Sequence, residues 1–207
     1  MTVDENNCSN LRGVDGHIPL SHTLWSQVIR KGDIVIDATC GQGLDSLVLS
    51  RLALSRDGGL LYCIDIQEKA IKDTRARLSK EYKEAISSNR IKLIQCDHAE
   101  FPSEIESESV SAIVYNLGYL PGTHRDGIDR IVTRTESTIK SFDAARSLLK
   151  LGGVLSVTAY RGQASGPSET EACIAYFSTL GQTNWRVFSH TPINTKKGAI
   201  LFTACRR

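Results

Sequence analysis

Two strand-like runs, NWRVFSHTPI (184–193) and GAILFTACR (198–206), stand near the end of this chain with only NTKK between them. A parallel pair needs a long crossover, so a link this tight allows only an antiparallel pair. The preceding chain follows a different rule. Strand-like runs occur at 33–38 (DIVIDA), 59–65 (GLLYCID), 91–97 (IKLIQCD), 111–118 (SAIVYNLG) and 152–161 (GGVLSVTAYR). Helical patterns are expected at about 43–55, 67–87, 135–150 and 168–180, the last closed by Gly181 as a C-cap. A shorter helix, SHTLWSQVIRK, precedes the first strand, with Ser21 as its N-cap and Gly32 at its end. Strands alternating with helices build a parallel sheet covered on both faces. The expected class is therefore α/β, a doubly wound sheet that finishes in an antiparallel hairpin.

The chain has 207 residues, enough for one domain with a full core. The expected division is a flexible, polar arm over 1–16 and a single domain over 17–207. A net charge of +2 does not announce nucleic-acid binding, so any basic surface must be local. The cysteines (8, 40, 63, 96, 173 and 205) are widely spaced, with no CxxC pair and no His/Cys cluster. That pattern argues against a metal site and reads as reduced, intracellular thiols, several of them in apolar strands. No run approaches the ~18 apolar residues of a membrane span, so no membrane partner is expected. The N-terminus has no signal-peptide core, and the expected location is cytoplasmic. Met1 is the only methionine, and if it replaces a trimmed leader the location would be organellar.

DATCGQGLDS (37–46) sits between the first strand and its helix, where glycines bring a ligand close to backbone. A phosphate-binding P-loop would end in Gly-Lys-Ser/Thr, but Gly43 is followed by Leu44 and Asp45. A dinucleotide fingerprint would place a third glycine where Ser46 stands, and Asp37 and Asp45 would repel a pyrophosphate. Two carboxylates suit a ligand with a cationic end. S-adenosylmethionine is one, carrying a sulfonium and an ammonium and no phosphate. Asp65 closes the second strand, where a carboxylate can accept both ribose hydroxyls, and Asp97 closes the third, where a side chain can meet the adenine edge. Taken singly, each is as well explained as a solvated turn or helix cap. Together they mark the carboxyl ends of three consecutive strands, where open α/β sheets bind ligands. The expected cofactor set is Asp37, Thr39, Gly41, Gly43, Asp45, Asp65, Ile66, Gln67, Asp97 and His98, with Asn116 touching it from the fourth strand. Gly43 is expected to leave room that a β-branched residue would fill.

The fourth strand ends in YNLGYLPG (115–122). Asn116 there can accept from an N–H opposite the methyl donor, while Tyr115 is expected to pack beneath the loop. Taken in order, DATCGQG, IDIQEKAI and YNLGYLPG resemble the MnmM/YtqB group, small class I methyltransferases first labelled as rRNA methylases. The resemblance runs from about His17 to the last strand, and a PxSH segment of the family matches Pro19, Ser21 and His22. It implies a Rossmann-like, seven-stranded class I methyltransferase sheet, mostly parallel with a C-terminal antiparallel hairpin. It also implies transfer of a methyl group from S-adenosylmethionine to the 5-aminomethyl nitrogen of wobble (thio)uridine 34 in tRNA. The partner would be an anticodon stem-loop, and a homodimer is left open.

Asn116 and Tyr119 are the expected positioning residues, and His22 is a candidate proton acceptor if its helix folds over the site. Leu120, Pro121 and Gly122 would line the substrate side. Family members usually continue with an acidic-basic pair and a Ser/Thr-rich turn; here the segment is GTHRDGIDRIVTRTEST, longer and more basic. His124, Arg125, Arg130 and Arg134 are candidate phosphate contacts, although Asp126 and Asp129 equally suit a mixed-charge solvated loop. Rival readings are a methyltransferase for rRNA, protein or a small amine, a non-catalytic S-adenosylmethionine-binding module, and a nicotinamide dehydrogenase. Ser46 and the terminal hairpin count against the last.

Overall fold

The computed structural model describes residues 16–118, 135–161, 166–195 and 198–207. Its elements run α1 (His17–Val28), β1 (Ile34–Asp37), α2 (Leu44–Ala53), β2 (Leu60–Asp65), α3 (Glu68–Ser87), β3 (Ile91–Gln95) and β4 (Val110–Asn116). They continue with α4 (Thr135–Leu148), β5 (Leu149–Tyr160), α5 (Gly166–Ser178), β6 (Trp185–His190) and β7 (Ala199–Arg206). All seven strands form one sheet in the order β3-β2-β1-β4-β5-β7-β6. β1 to β5 pair in parallel, whereas β7 runs antiparallel between β5 and β6. The expected α/β sheet and its terminal hairpin are both present.

Strand residues alternate between two cores, as a pleat with a two-residue period requires. Val35, Leu61, Cys63, Ala112 and Val114 point to one face, where Trp25, Leu49 and Leu78 of α1, α2 and α3 cover them. Ile36, Tyr62, Ile64, Ile113 and Tyr115 point to the other, against Phe142 of α4 and Phe177 of α5. Both faces are dry, which explains why β1, β2 and β4 read as near-continuous apolar runs. The functional consequence lies in the order. β1 is flanked by β2 and β4, so the strand order runs outward in opposite directions from it, and a crevice opens at the carboxyl ends of these parallel strands.

Two expected helix ends are corrected. α1 begins at His17, one turn before Ser21, whose buried hydroxyl donates to the Ile18 carbonyl at 2.8 Å inside the helix. Pro19 is compatible with this earlier start, because its missing N–H falls in the first turn, where no helical partner exists. Gly181 does not cap α5, which ends at Ser178. Its carbonyl instead receives the N–H groups of Asn184 and Trp185, both at 3.1 Å, and so opens the turn into β6.

Candidate active site

The turn after β1 is gripped from behind by α3. Thr74 Oγ1 donates to the Gly41 carbonyl at 3.0 Å, and Arg77 Nε donates to the Gln42 carbonyl at 2.6 Å. Gly43 closes the turn by donating to the Cys40 carbonyl at 2.7 Å and takes the N-cap position of α2 with φ of 74°. A Cβ there would stand 2.9 Å from the Thr74 Cα. Gly43 is thus required by left-handed backbone and by the close approach of α3, a reason different from the cofactor room expected of it. Gly43→Ala is expected to lose about 2 kcal/mol of stability or more, readable by urea unfolding without any ligand. A variant as stable as the parent would contradict this packing.

Asp37, at the end of β1, is buried. Ser46 Oγ donates to its Oδ2 at 2.5 Å and the Thr39 N–H to its Oδ1 at 3.3 Å. Burial first, and then the charge of Asp45, push its carboxyl up to about 8. The folded state therefore holds a proton that the unfolded chain gives up near pH 4. Stability from this group is complete below that pH and is lost as pH rises towards 8, by up to about 1.4 kcal/mol per unit. Asp37→Asn should remove this loss, so its stability gap over the parent should widen between pH 5 and 8 in urea titrations. A gap independent of pH would refute an uncharged Asp37.

Asp65 is held at the end of β2 by two backbone donors, Gly41 N–H to Oδ2 and Gln67 N–H to Oδ1, both at 3.0 Å. Burial raises its pKa, and these donors and His98 oppose the rise. The carboxylate is thus fixed in orientation while each oxygen keeps a lone pair. Beside it Ile66 is 50% exposed, an apolar platform at the crevice. Asp97 accepts the Ala99 N–H at 2.9 Å in a turn after β3. Next to it His98 is buried, its ring edge-on to Tyr115 at 5.9 Å, and its Nε2 has no partner among the described residues. Burial lowers the His98 pKa, so the ring is held towards its neutral form. A buried, unpartnered nitrogen beside an oriented carboxylate and an exposed aliphatic surface fits a nucleoside. Asp37, buried and uncharged, does not supply the second carboxylate expected of it, so the backbone donors of the glycine turn and the Asp45 carboxylate are what fit the amino-acid end of S-adenosylmethionine.

On the other side of the turn, five polar side chains from four elements gather in two hydrogen-bonded groups. His22 Nε2 lies 2.8 Å from Asp45 Oδ1, and Asn116 Nδ2 donates to Asp45 Oδ2 at 3.4 Å. The Tyr160 hydroxyl lies 3.1 Å from His17 Nε2. The Thr39 hydroxyl accepts the Asn116 N–H at 2.7 Å, tying the end of β4 to the glycine turn. α1 folds over the carboxyl ends of the strands and brings His22 to Asp45. Tyr115 is buried, with its hydroxyl 2.6 Å from Ser141 Oγ, as expected of a residue packed beneath the site. Tyr119, Leu120, Pro121, Gly122, His124, Arg125, Arg130 and Arg134 lie outside the described residues.

His17 and Tyr160 are additions to the sequence reading. Tyr160 ends β5 in the way Asn116 ends β4, so extending the strand-end argument to the fifth strand would have found it. His17 carries no such signal, since it meets Tyr160 only through tertiary packing.

Residues 61–206 match the sequence model of the family described as "Putative rRNA methylase". The chain is 33% identical over 195 residues to an Arabidopsis thaliana protein named tRNA (mnm(5)s(2)U34)-methyltransferase, chloroplastic. That alignment takes in 91% of this chain and 68% of the plant protein. A solved structure from Clostridium thermocellum with the same family description superposes with a TM-score of 0.82 at 30% identity, covering 94% of this chain and 99% of that one. A structure from Streptococcus mutans in complex with SAH gives 0.77 at 29% identity, over 92% and 97% of the two chains.

Proposed function

The chain belongs to the rRNA methylase family of S-adenosylmethionine-dependent methyltransferases, and within it we propose that this enzyme methylates the 5-aminomethyl nitrogen of wobble (thio)uridine 34 in tRNA. The observation that carries the proposal is the setting of Asn116. An amide stands at the carboxyl end of β4, tied to Asp45, on the side of the glycine turn away from Asp65. A hydrogen-bonding group beside carboxylate suits an acceptor that brings N–H groups and arrives protonated. The plant relative's printed name supplies the matching substrate, a tRNA wobble uridine bearing an aminomethyl-type group.

In this reading Asp65 would hold the ribose hydroxyls of the cofactor, Ile66 and His98 would flank its base, and residues 39–43 would receive its amino-acid end. The bound cofactor supplies a methyl group on a sulfonium, already an excellent leaving group, so the protein's work is alignment and proton removal. The amine nitrogen forms the new N–C bond as the S–C bond breaks with its electron pair on sulfur. Before that the ammonium form must lose a proton. His22 and Asp45 are the proposed acceptors: a proton on His22 Nε2 directed at Asp45 Oδ1 leaves Nδ1 as the basic ring nitrogen. Asn116 would orient the amine, with Tyr119 and 120–122 as further positioners.

The RNA partner is the anticodon stem-loop, with Arg125, Arg130 and Arg134 as proposed phosphate contacts that add affinity without reading bases. Among the described residues no helix is long and apolar enough to cross a membrane. The relative's chloroplastic designation supports an organellar location over the cytoplasmic one. Nucleoside mass spectrometry of tRNA from cells lacking the protein tests the assignment. The 5-aminomethyl nucleoside should accumulate and its N-methylated product should disappear; an unchanged wobble profile would overturn it.

A further inference from the structure

The turn after β3 is anchored by a pair of buried hydroxyls that the reaction scheme does not use. Resting on the cofactor placement above, we propose that Tyr115 and Ser141 are positioning residues: through the His98 carbonyl they set the 97–99 turn against the base of S-adenosylmethionine.

β3 stands at the edge of the sheet, and β2 and β1 separate it from β4. No strand pairing therefore fixes the end of β3 relative to β4. The bonds within the turn are local: the Asp97 carboxylate accepts the Ala99 N–H, and its carbonyl accepts the Glu100 N–H, both at 2.9 Å. They shape the turn without placing it. Its hold on the rest of the fold comes from α4, whose inner face presents Thr138, Ser141, Phe142 and Ala145 at helical spacing. From that face Ser141 Oγ donates to the His98 carbonyl at 2.6 Å.

Proton counting gives this chain a direction. The His98 carbonyl only accepts, so the single proton of the Ser141 hydroxyl is committed to it. Ser141 Oγ is then the acceptor for Tyr115, whose hydroxyl lies 2.6 Å away. The other acceptor near that phenol, the Ser141 carbonyl, is 3.5 Å away and too distant to compete. Tyr115 and Ser141 are both buried, where a satisfied chain is strong and a broken one leaves costly orphans. Phe142 packs edge-on against Tyr115 at 5.1 Å and keeps the phenol in place.

The same phenol ring holds the His98 side chain. The two rings meet edge-on at 5.9 Å, so Tyr115 braces the imidazole while Ser141 fixes the main chain behind it. His98 Nε2 is left buried and without a partner among the described residues, and the Asp97 carboxylate beside it only accepts. An adenine suits that turn, because its exocyclic amine donates. A hypoxanthine carries a carbonyl there, which meets the carboxylate with an acceptor. Discrimination between the two bases therefore depends on how firmly the turn is set.

S-adenosylhomocysteine and S-inosylhomocysteine differ only at this edge of the base, so calorimetry with both ligands tests the proposal. The parent should prefer the adenine form by about tenfold or more. Ser141→Ala, which strips the His98 carbonyl of its donor, should bind the adenine form about tenfold more weakly and the inosine form within about twofold of the parent. Tyr115→Phe keeps the ring and the Ser141 bond, and its loss should be smaller, about threefold, and again confined to the adenine form. In a Ser141→Ala background Tyr115→Phe should narrow the preference no further, because the chain is already broken. A purely structural role would weaken both ligands alike. Should Ser141→Ala fail to fold, the ratio measured on Tyr115→Phe decides the matter. A parental preference that survives intact in both variants, or losses shared equally by the two ligands, would overturn the proposal and leave the cofactor placement standing. A parent that binds both ligands equally would refute the placement of the base at this turn, and the proposal with it.

Discussion

Asn116→Ala should bind S-adenosylmethionine as tightly as the parent and lose turnover by about two to three orders of magnitude. The backbone of Asn116 helps tie β4 to the glycine turn through Thr39, and alanine keeps that N–H. Only the amide is lost. Its partner, Asp45, lies on the acceptor side, whereas the carboxylate proposed for the ribose is Asp65 at the end of β2. A group that orients the attacking nitrogen acts mainly in the transition state, so its removal shows in kcat more than in binding. Calorimetry for the cofactor and single-turnover methylation would be run on the same preparation. Normal turnover would make Asn116 a strand-end residue with no part in the reaction.

Asp65→Ala should do the reverse and weaken cofactor binding by roughly ten- to a hundredfold, the equivalent of about 1.5–3 kcal/mol for charge-assisted contacts. The carboxylate is pre-oriented by the Gly41 and Gln67 N–H groups, so little ordering remains to be done when a diol binds. Removing it also strips acceptors from two backbone donors, which could loosen the glycine turn by itself. Asp65→Asn keeps one oxygen for the turn but loses the charge and sets an NH2 against the other backbone donor. Its affinity and melting temperature should both fall between those of the parent and Asp65→Ala. Equal affinity in all three proteins would remove Asp65 from the cofactor site.

The parts of this architecture that depend on local spacing could be read from the chain. NTKK is too short for a parallel crossover, and β6 and β7 are antiparallel. Asp37, Asp65 and Asn116 each end a strand, because the same positional rule governs every strand of a parallel sheet. What escaped the reading depends on contacts between distant segments. Ser21 has the chemistry of a cap but lies a turn inside α1, and its buried hydroxyl is satisfied by the Ile18 carbonyl of the same helix. Gly43 looks like a ligand-binding glycine, yet its backbone neighbour is Thr74 on another helix. His17 and Tyr160 are 143 residues apart and meet only because α1 crosses the ends of β4 and β5. The state of Asp37 was equally hidden: the sequence shows a carboxylate, and only the fold shows that it is enclosed beside Asp45.

The central claim is methyl transfer to an amine on the wobble base. The most direct measurement incubates the purified protein with methyl-labelled S-adenosylmethionine and tRNA bearing 5-aminomethyl wobble uridine, then digests the RNA and locates the label by nucleoside mass spectrometry. The label should appear on the exocyclic nitrogen of that one nucleoside, and Asn116→Ala should abolish it. Label on another nucleoside, or on ribosomal RNA or protein in preference to tRNA, would contradict the account.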